Sequence, residues 1–210
     1  MTRTLEPNPE RVAADLDELA ALGRVGDTGV TRLAFSAEDM AARNYVIRRL
    51  READLQVRID AFGNIFGRRN GRYGRSGCVM FGSHIDTTLV GGRFDGTVGV
   101  VGALEAIRIL DDRHIMTDRP LEAVVFAAEE STRFGVALLG SKATSGSLDQ
   151  EQLRQLQDGL SITLWQVLER VGLRPDLIET CGIPKGYARA YLELHVEQGP
   201  CLNPWGGRLA

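Results

Sequence analysis

Cysteine is scarce in this sequence of 210 residues, which contains only Cys78, Cys181 and Cys201. An odd number of cysteines that lie far apart does not form the framework of a disulfide-rich domain, and without a CxxC pair they do not suggest structural zinc. We therefore expect reduced thiols and a cytoplasmic location.

Long apolar runs and an excess of positive charge are also absent. No apolar run approaches the roughly 20 residues that a membrane-spanning helix needs, and the first ten residues lack the apolar core of a signal peptide. The 25 basic and 28 acidic residues give a net charge of −3, so charge gives no reason to expect nucleic acid or a membrane as partner. The 43 % of hydrophobic residues can form a sizeable core.

Local patterns predict an α/β fold with a mixed, largely parallel sheet flanked by helices. The predicted elements are helices beginning after Asn8 and at Ser36, a hairpin at 55–66 with a turn at Gly63-Asn64, strands at 78–81, 121–128 and 188–194, a helix at 97–110, and a mainly helical region at 140–180. Because the apolar strands at 78–81 and 121–128 are separated by one helix, they should be parallel and joined by a right-handed crossover.

Residue types that bind metal ions follow each of the three single strands. They are His84 after the first strand, Glu129 and Glu130 after the second, and His195 after the third, with Asp95 shortly before the helix. Because the carboxyl ends of parallel strands lie side by side, these side chains should meet at one edge of the sheet. Imidazole and carboxylate groups are ligands of zinc and similar ions, so the sequence predicts a metal site there.

The remaining candidate residues have simpler interpretations. Asp86 lies two residues after His84, where its carboxylate could accept the second ring N–H and fix the tautomer. His114 lies in a polar segment away from any strand end and is predicted to be at the surface. The glycines at 91–99 raise nucleotide binding as an alternative, but no GxGxxG follows the strand directly and no GxxxxGK[ST] occurs.

Six stretches, distributed along the chain from residue 29 to residue 200, carry a family resemblance. They are GVTRLAFS (29–36), DAFGNIFGR (60–68), GSHIDTTLVGGRFDGTVGV (82–100), FAAEESTRFG (126–135), GSKATSG (140–146) and ELHVEQGP (193–200). Together they resemble the N-terminal half of the dinuclear-metal amidohydrolases that include N-carbamoyl-L-amino-acid hydrolase and allantoate amidohydrolase. EEST at 129–132 departs from the usual EEGS of this family but keeps both acids.

The resemblance implies a zinc-exopeptidase-like catalytic domain that hydrolyses the ureido C–N amide bond of N-carbamoyl-L-amino acids. It implies two divalent ions, zinc or manganese, and a role for each site residue. Asp95 would bridge the ions, His84 and His195 would complete the first site, Glu130 would bind the second ion, Glu129 would be the general base and Gln198 would contact substrate.

The resemblance also sets expectations about the extent of the protein. Residues 1–210 would be the N-terminal portion of the catalytic domain, because chains of this family are about twice as long. A lid and dimerisation domain and a further histidine ligand would be missing. We therefore expect an incomplete second metal site, an inactive chain when alone, and a homodimer at full length. Allantoate amidohydrolase and a non-catalytic remnant that serves as an interaction module are the alternatives.

Overall fold

Helices and strands alternate along most of the chain. The computed structural model describes residues 5–73 and 77–199. Within these stretches the elements are α1 (Pro9–Ala21), β1 (Arg24–Val25), β2 (Gly29–Val30), α2 (Ala37–Glu52), β3 (Gln56–Ile59), β4 (Ile65–Arg69), β5 (Cys78–His84), α3 (Thr97–Asp112), β6 (Leu121–Phe126), α4 (Leu139–Thr144), α5 (Gln150–Gln155), α6 (Leu164–Arg170), a 3₁₀ helix (Pro175–Cys181) and β7 (Ala188–Leu192). None of the helices in these stretches has the length and apolar character needed to cross a bilayer.

One mixed sheet joins five of the strands in the order β3-β4-β6-β5-β7. The β3–β4 and β4–β6 pairs are antiparallel, whereas β6–β5 and β5–β7 are parallel. The mixed α/β fold, the hairpin and the parallel crossover through α3 are thereby confirmed. The three mutually parallel strands are those that precede the predicted site residues.

The ends of several predicted elements differ from the observed ones by two or three residues. β5 continues to His84, three residues beyond its predicted end. β6 ends at Phe126 and β7 at Leu192, earlier than predicted, whereas α3 continues to Asp112. Ala128 explains the early end of β6, because its φ of 51° is a left-handed backbone conformation that a strand cannot continue. The apolar run therefore bends before it reaches the acidic pair.

Helices α1, α2 and α3 pack on the sheet through one large apolar cluster. Its members include Leu16 and Leu19 of α1, Val46 and Leu50 of α2, Val101, Leu104 and Ile107 of α3, and Ile65 and Val125 of the sheet. The predicted caps are present: the side chains of Asn8 and Ser36 accept backbone N–H groups in the first turns of α1 and α2. A second cluster joins α4, α5, α6 and the 3₁₀ helix to Phe62 and Ala127.

Gly99 of α3 lies where the helix approaches the sheet most closely. A Cβ atom built at this position would be 2.4 Å from the Leu194 carbonyl oxygen and 2.7 Å from Ser83 Cβ. Both atoms belong to segments that lead to predicted histidine ligands. The small residue therefore lets α3 pack directly behind the predicted site.

We expect Gly99→Ala to destabilise the protein despite the higher helix propensity of alanine. The added methyl group meets a backbone carbonyl that cannot rotate away, and such overpacking costs about 1–3 kcal/mol, against a propensity gain of about 1 kcal/mol. Urea unfolding measures the difference. Gly159→Ala is the matched control, because a Cβ there has no neighbour within 4 Å; equal unfolding free energies for the two variants would contradict this packing argument.

Candidate metal centre

The His84 imidazole is the most deeply buried of the predicted ligands. It ends β5, is 2 % exposed, and its Nδ1 lies 2.9 Å from the Asp86 carbonyl oxygen. A carbonyl only accepts, so Nδ1 carries the hydrogen and Nε2 keeps its lone pair for the site. The Nε2 atom is 4.0 Å from Asp95 Oδ1 and 3.6 Å from Glu129 Oε2.

The His195 imidazole approaches the same carboxylate from the other side. Its Nε2 lies 3.2 Å from Asp95 Oδ1, and its Nδ1 lies 2.8 Å from the Val196 carbonyl oxygen. The two imidazole rings are 5.8 Å apart between centroids. Each ring therefore uses Nδ1 for a backbone carbonyl and turns Nε2 towards Asp95, as zinc-binding histidines do.

The Asp95 carboxylate occupies the point where these groups converge. Its Oδ1 is buried and receives no hydrogen bond from the described residues, although a buried carboxylate oxygen ordinarily has a donor. The adjacent Gly96 allows the close approach, because a Cβ at this residue would be 2.5 Å from the His84 ring. Two nitrogen lone pairs and an unpaired carboxylate oxygen are a donor set that fits a divalent cation.

Two neighbouring acids extend the group. His84, Glu129 and Glu130 offer three ligand atoms within 4.8 Å of one another, as do His84, Asp95 and His195. Burial raises the pKa of Glu130 to about 7, although His84 opposes the shift, and the nearby Asp95 carboxylate contributes to the rise. The geometry places both glutamates near the imidazole, and the division into base and ligand stays a prediction.

Asp86 acts differently from the prediction. Its backbone carbonyl, and not its carboxylate, accepts the His84 ring N–H, since Oδ1 lies 3.7 Å from Nδ1. The carboxylate accepts the backbone N–H groups of Glu129 and Glu130 at 3.1 and 3.0 Å. Burial raises the pKa of Asp86 to about 6. Asp86 thus connects the loop after β5 to the loop after β6.

Asn64 also supports the acidic loop, which follows β6 and carries Glu129 and Glu130. Its sequence context predicted only a turn. Asn64 is fully buried, its Oδ1 accepts the Ala127 N–H at 2.9 Å, and its Nδ2 donates to Asp60 Oδ2 at 2.8 Å. Asp60 in turn accepts three backbone N–H groups of the hairpin turn. The Asp four residues before Asn64 in a tight turn was the sequence signal for this network. The bond from Asn64 to Ala127 has no local sequence signal, because Ala127 is distant in the sequence.

The predicted substrate contact lies beside the metal ligands. Gln198 lines a cleft of about 470 Å³ together with Thr88, Gly92, Phe94, Asp95, Glu130 and Val196. The cleft opens directly onto the carboxylates, so a bound small molecule would reach them. His114, by contrast, is exposed and lines a separate charged cleft with Arg49 and Arg108, as its surface prediction required.

Comparison with known proteins identifies similar chains. The model of peptidase family M28 matches residues 64–159. An N-carbamoyl-L-amino acid amidohydrolase of Geobacillus stearothermophilus is 38 % identical over 94 % of this chain and 48 % of its own length. A ureidoglycolate hydrolase of Oryza sativa is 38 % identical over 91 % of this chain and 40 % of its own, and an allantoate amidohydrolase of Bacillus subtilis is 31 % identical over 91 % and 46 %.

A solved structure agrees with these similarities. A hydantoinase/carbamoylase family amidase from Burkholderia ambifaria superposes with a TM-score of 0.87 at 40 % identity, over 96 % of this chain and 48 % of that one. The predicted resemblance to the hydantoinase/carbamoylase amidases is thereby confirmed. The chain spans about half the length of the curated relatives it matches.

We expect the purified chain to bind about one equivalent of zinc tightly, because only one of the two candidate groups among the described residues combines two imidazoles with a carboxylate. His84→Ala should weaken zinc binding by at least about 100-fold, since loss of a supporting residue alone costs 10–100-fold. Metal analysis after dialysis against a zinc buffer measures this. His114→Ala is the matched control and should bind like the unaltered chain; equal zinc content in the His84 and His114 variants would exclude this centre.

Proposed function

We propose that this chain provides the metal-binding and proton-transfer groups of a hydrolase that cleaves the ureido C–N amide bond of N-carbamoyl-L-amino acids. The observation that carries the proposal is the convergence of two imidazole Nε2 atoms on the buried Asp95 Oδ1, which receives no hydrogen bond within residues 5–73 and 77–199. The similar chains named as amidohydrolases support the reaction class. Bound divalent ions would polarise the ureido carbonyl and lower the pKa of the attacking water.

Glu129 is the residue that we propose to move the proton. Its carboxylate oxygen lies 3.6 Å from His84 Nε2, at the edge of the proposed metal group, and its backbone is held by Asp86. It takes a proton from the attacking water and returns one to the departing nitrogen as the C–N bond breaks. Glu130 is proposed as the ligand of a second ion and Gln198 as a contact to substrate.

The two proposed ions differ in their ligands. The Nδ1 of His84 is engaged by a carbonyl, so its single free nitrogen cannot serve both ions. With Glu129 assigned to proton transfer, a second ion would then have, within residues 5–73 and 77–199, the Asp95 and Glu130 carboxylates besides solvent. We infer that the first ion binds tightly and the second weakly in this chain. Zinc and manganese both accept such mixed ligands.

The substrate class rests on the chemistry of the cleft and on the relatives. A ureido carbonyl close to the metal group would leave the rest of the substrate in the cleft lined by Gln198 and Phe94. Allantoate and ureidoglycolate also carry ureido groups, and relatives named for each are similar to this chain. They are the second candidates, and the three substrates differ in what is attached to the ureido nitrogen.

The wider organisation belongs to the same proposal. We propose that residues 1–210 form the N-terminal portion of a catalytic domain that works with a lid and dimerisation domain in a homodimer in the cytoplasm. The alternative of a non-catalytic remnant that serves as an interaction module does not account for the buried histidine and carboxylate groups, because an interaction module has no need of them.

Ammonia release from the three ureido substrates tests the function. The chain is assayed alone and in a chimera in which it replaces the matching half of the Geobacillus stearothermophilus amidohydrolase, with metal supplied. We expect turnover in the chimera and none above background from the chain alone, because the second ion binds weakly. Turnover by the chain alone near 1 s⁻¹, roughly the lower end for ordinary enzymes, would refute that ligand count. A folded, metal-loaded chimera that hydrolyses none of the substrates would refute the function.

Glu129→Gln and Glu130→Gln in the same chimera separate the two proposed roles. Loss of a general base should lower turnover by about 10²-fold or more while metal content stays the same. Loss of a ligand should lower metal content first. Metal analysis and initial rates are measured on the same samples, and the opposite pattern would exchange the two assignments.

A further inference from the structure

The two histidine-bearing segments continue beyond the point where β5 and β7 pair with each other, although β5 stays paired with β6 as far as His84. The parallel ladder between β5 and β7 ends at the Phe81–Leu192 pair. His84 and His195 each lie three residues further on, yet their rings are 5.8 Å apart. Backbone pairing alone therefore does not hold the two imidazoles at this separation.

One side chain connects the two segments where β5 and β7 no longer pair with each other. Glu193 accepts the Ser83 hydroxyl through Oε1 at 2.5 Å and the Tyr191 hydroxyl through Oε2 at 2.8 Å. Ser83 is fully buried and immediately precedes His84, and the Tyr191 hydroxyl also lies 3.2 Å from the Gly82 carbonyl oxygen. Hydroxyl-to-carboxylate bonds are among the stronger hydrogen bonds in proteins.

We propose that Glu193 is a positioning residue that fixes the separation of the His84 and His195 imidazoles. The ladder with β6 holds β5 as far as His84, and through its bond to Ser83 Glu193 ties to that strand the segment that leads to His195 two residues later. The inference rests on the proposed metal centre but assigns to Glu193 a part that neither the resemblance nor the ligand geometry assigns. Glu193 belongs to neither of the two candidate ligand groups found among the described residues.

Two explanations of a Glu193 effect can be separated by chemistry. If the residue acts as a bridge, glutamine should replace it, because an amide of the same length can accept one hydroxyl and donate to the other. If it acts by its negative charge on a nearby cation, glutamine should fail as alanine does. A bridge also predicts that removing Ser83's hydroxyl and removing Glu193 have overlapping effects.

The experiment titrates cobalt(II) into the metal-free chain and records visible absorption, which reports the number and arrangement of the ligands around the ion. Glu193→Ala should bind cobalt on the order of 10-fold more weakly and change the spectrum, whereas Glu193→Gln should retain most of the affinity and the spectrum. Ser83→Ala should weaken binding, and the Ser83→Ala/Glu193→Ala double variant should be no weaker than Glu193→Ala. Glu169→Ala, an exposed acid on α6, is the control and should leave binding unchanged.

Several results would overturn the proposal. Unchanged affinity in Glu193→Ala, equal losses in the alanine and glutamine variants, or additive losses with Ser83→Ala would each do so. If the unaltered chain binds no cobalt, the metal centre itself fails. Crystal structures of the metal-free chain and of Glu193→Ala then decide the positioning separately, because the bridge predicts a larger His84–His195 ring separation in the variant and an unchanged one contradicts it.

Discussion

The parallel pairing of β6, β5 and β7 is the constraint on which the site depends. Residue His84 lies opposite Phe126 in the β5–β6 register, so the chain after each strand leaves the sheet at the same edge. Polar groups at the ends of these apolar strands are then brought close together by the strand pairing itself. A slip of one residue in either ladder would turn the histidine or the acids to the other face of the sheet.

Beyond the strand ends, hydrogen bonds from side chains to backbone take over from the ladder. Asp86 holds the backbone of the acidic loop, and Asn64 holds Ala127 just before it. These groups are buried, so each lost bond leaves an unpaired polar atom and costs about 1–3 kcal/mol. These hydrogen bonds therefore fix the conformation of the loop that carries the proposed catalytic acids.

Much of this arrangement could be predicted from the sequence because it depends on local signals. Apolar strands, the caps at Asn8 and Ser36, and the position of His84 after a strand all have periodicity or turn chemistry that a single sequence displays. The bend at Ala128 could not be predicted, since a left-handed alanine has no such signal. The bond between Asn64 and Ala127 could not be predicted either, because Ala127 follows β6 and is distant from Asn64 in the sequence.

The acidic side chains that meet at the sheet edge affect how cation binding and folding stability are related. Among the described residues, none donates a hydrogen bond to Asp95 Oδ1, and burial beside other carboxylates raises the pKa of Glu130 to about 7. The apolar cluster under α1, α2 and α3 contains none of these residues. The apolar packing of these three helices is thus separate from the ligands, whose geometry is maintained locally at the strand ends. A cation that neutralises the acids would stabilise chiefly the folded state, because the unfolded chain does not bring these ligands together.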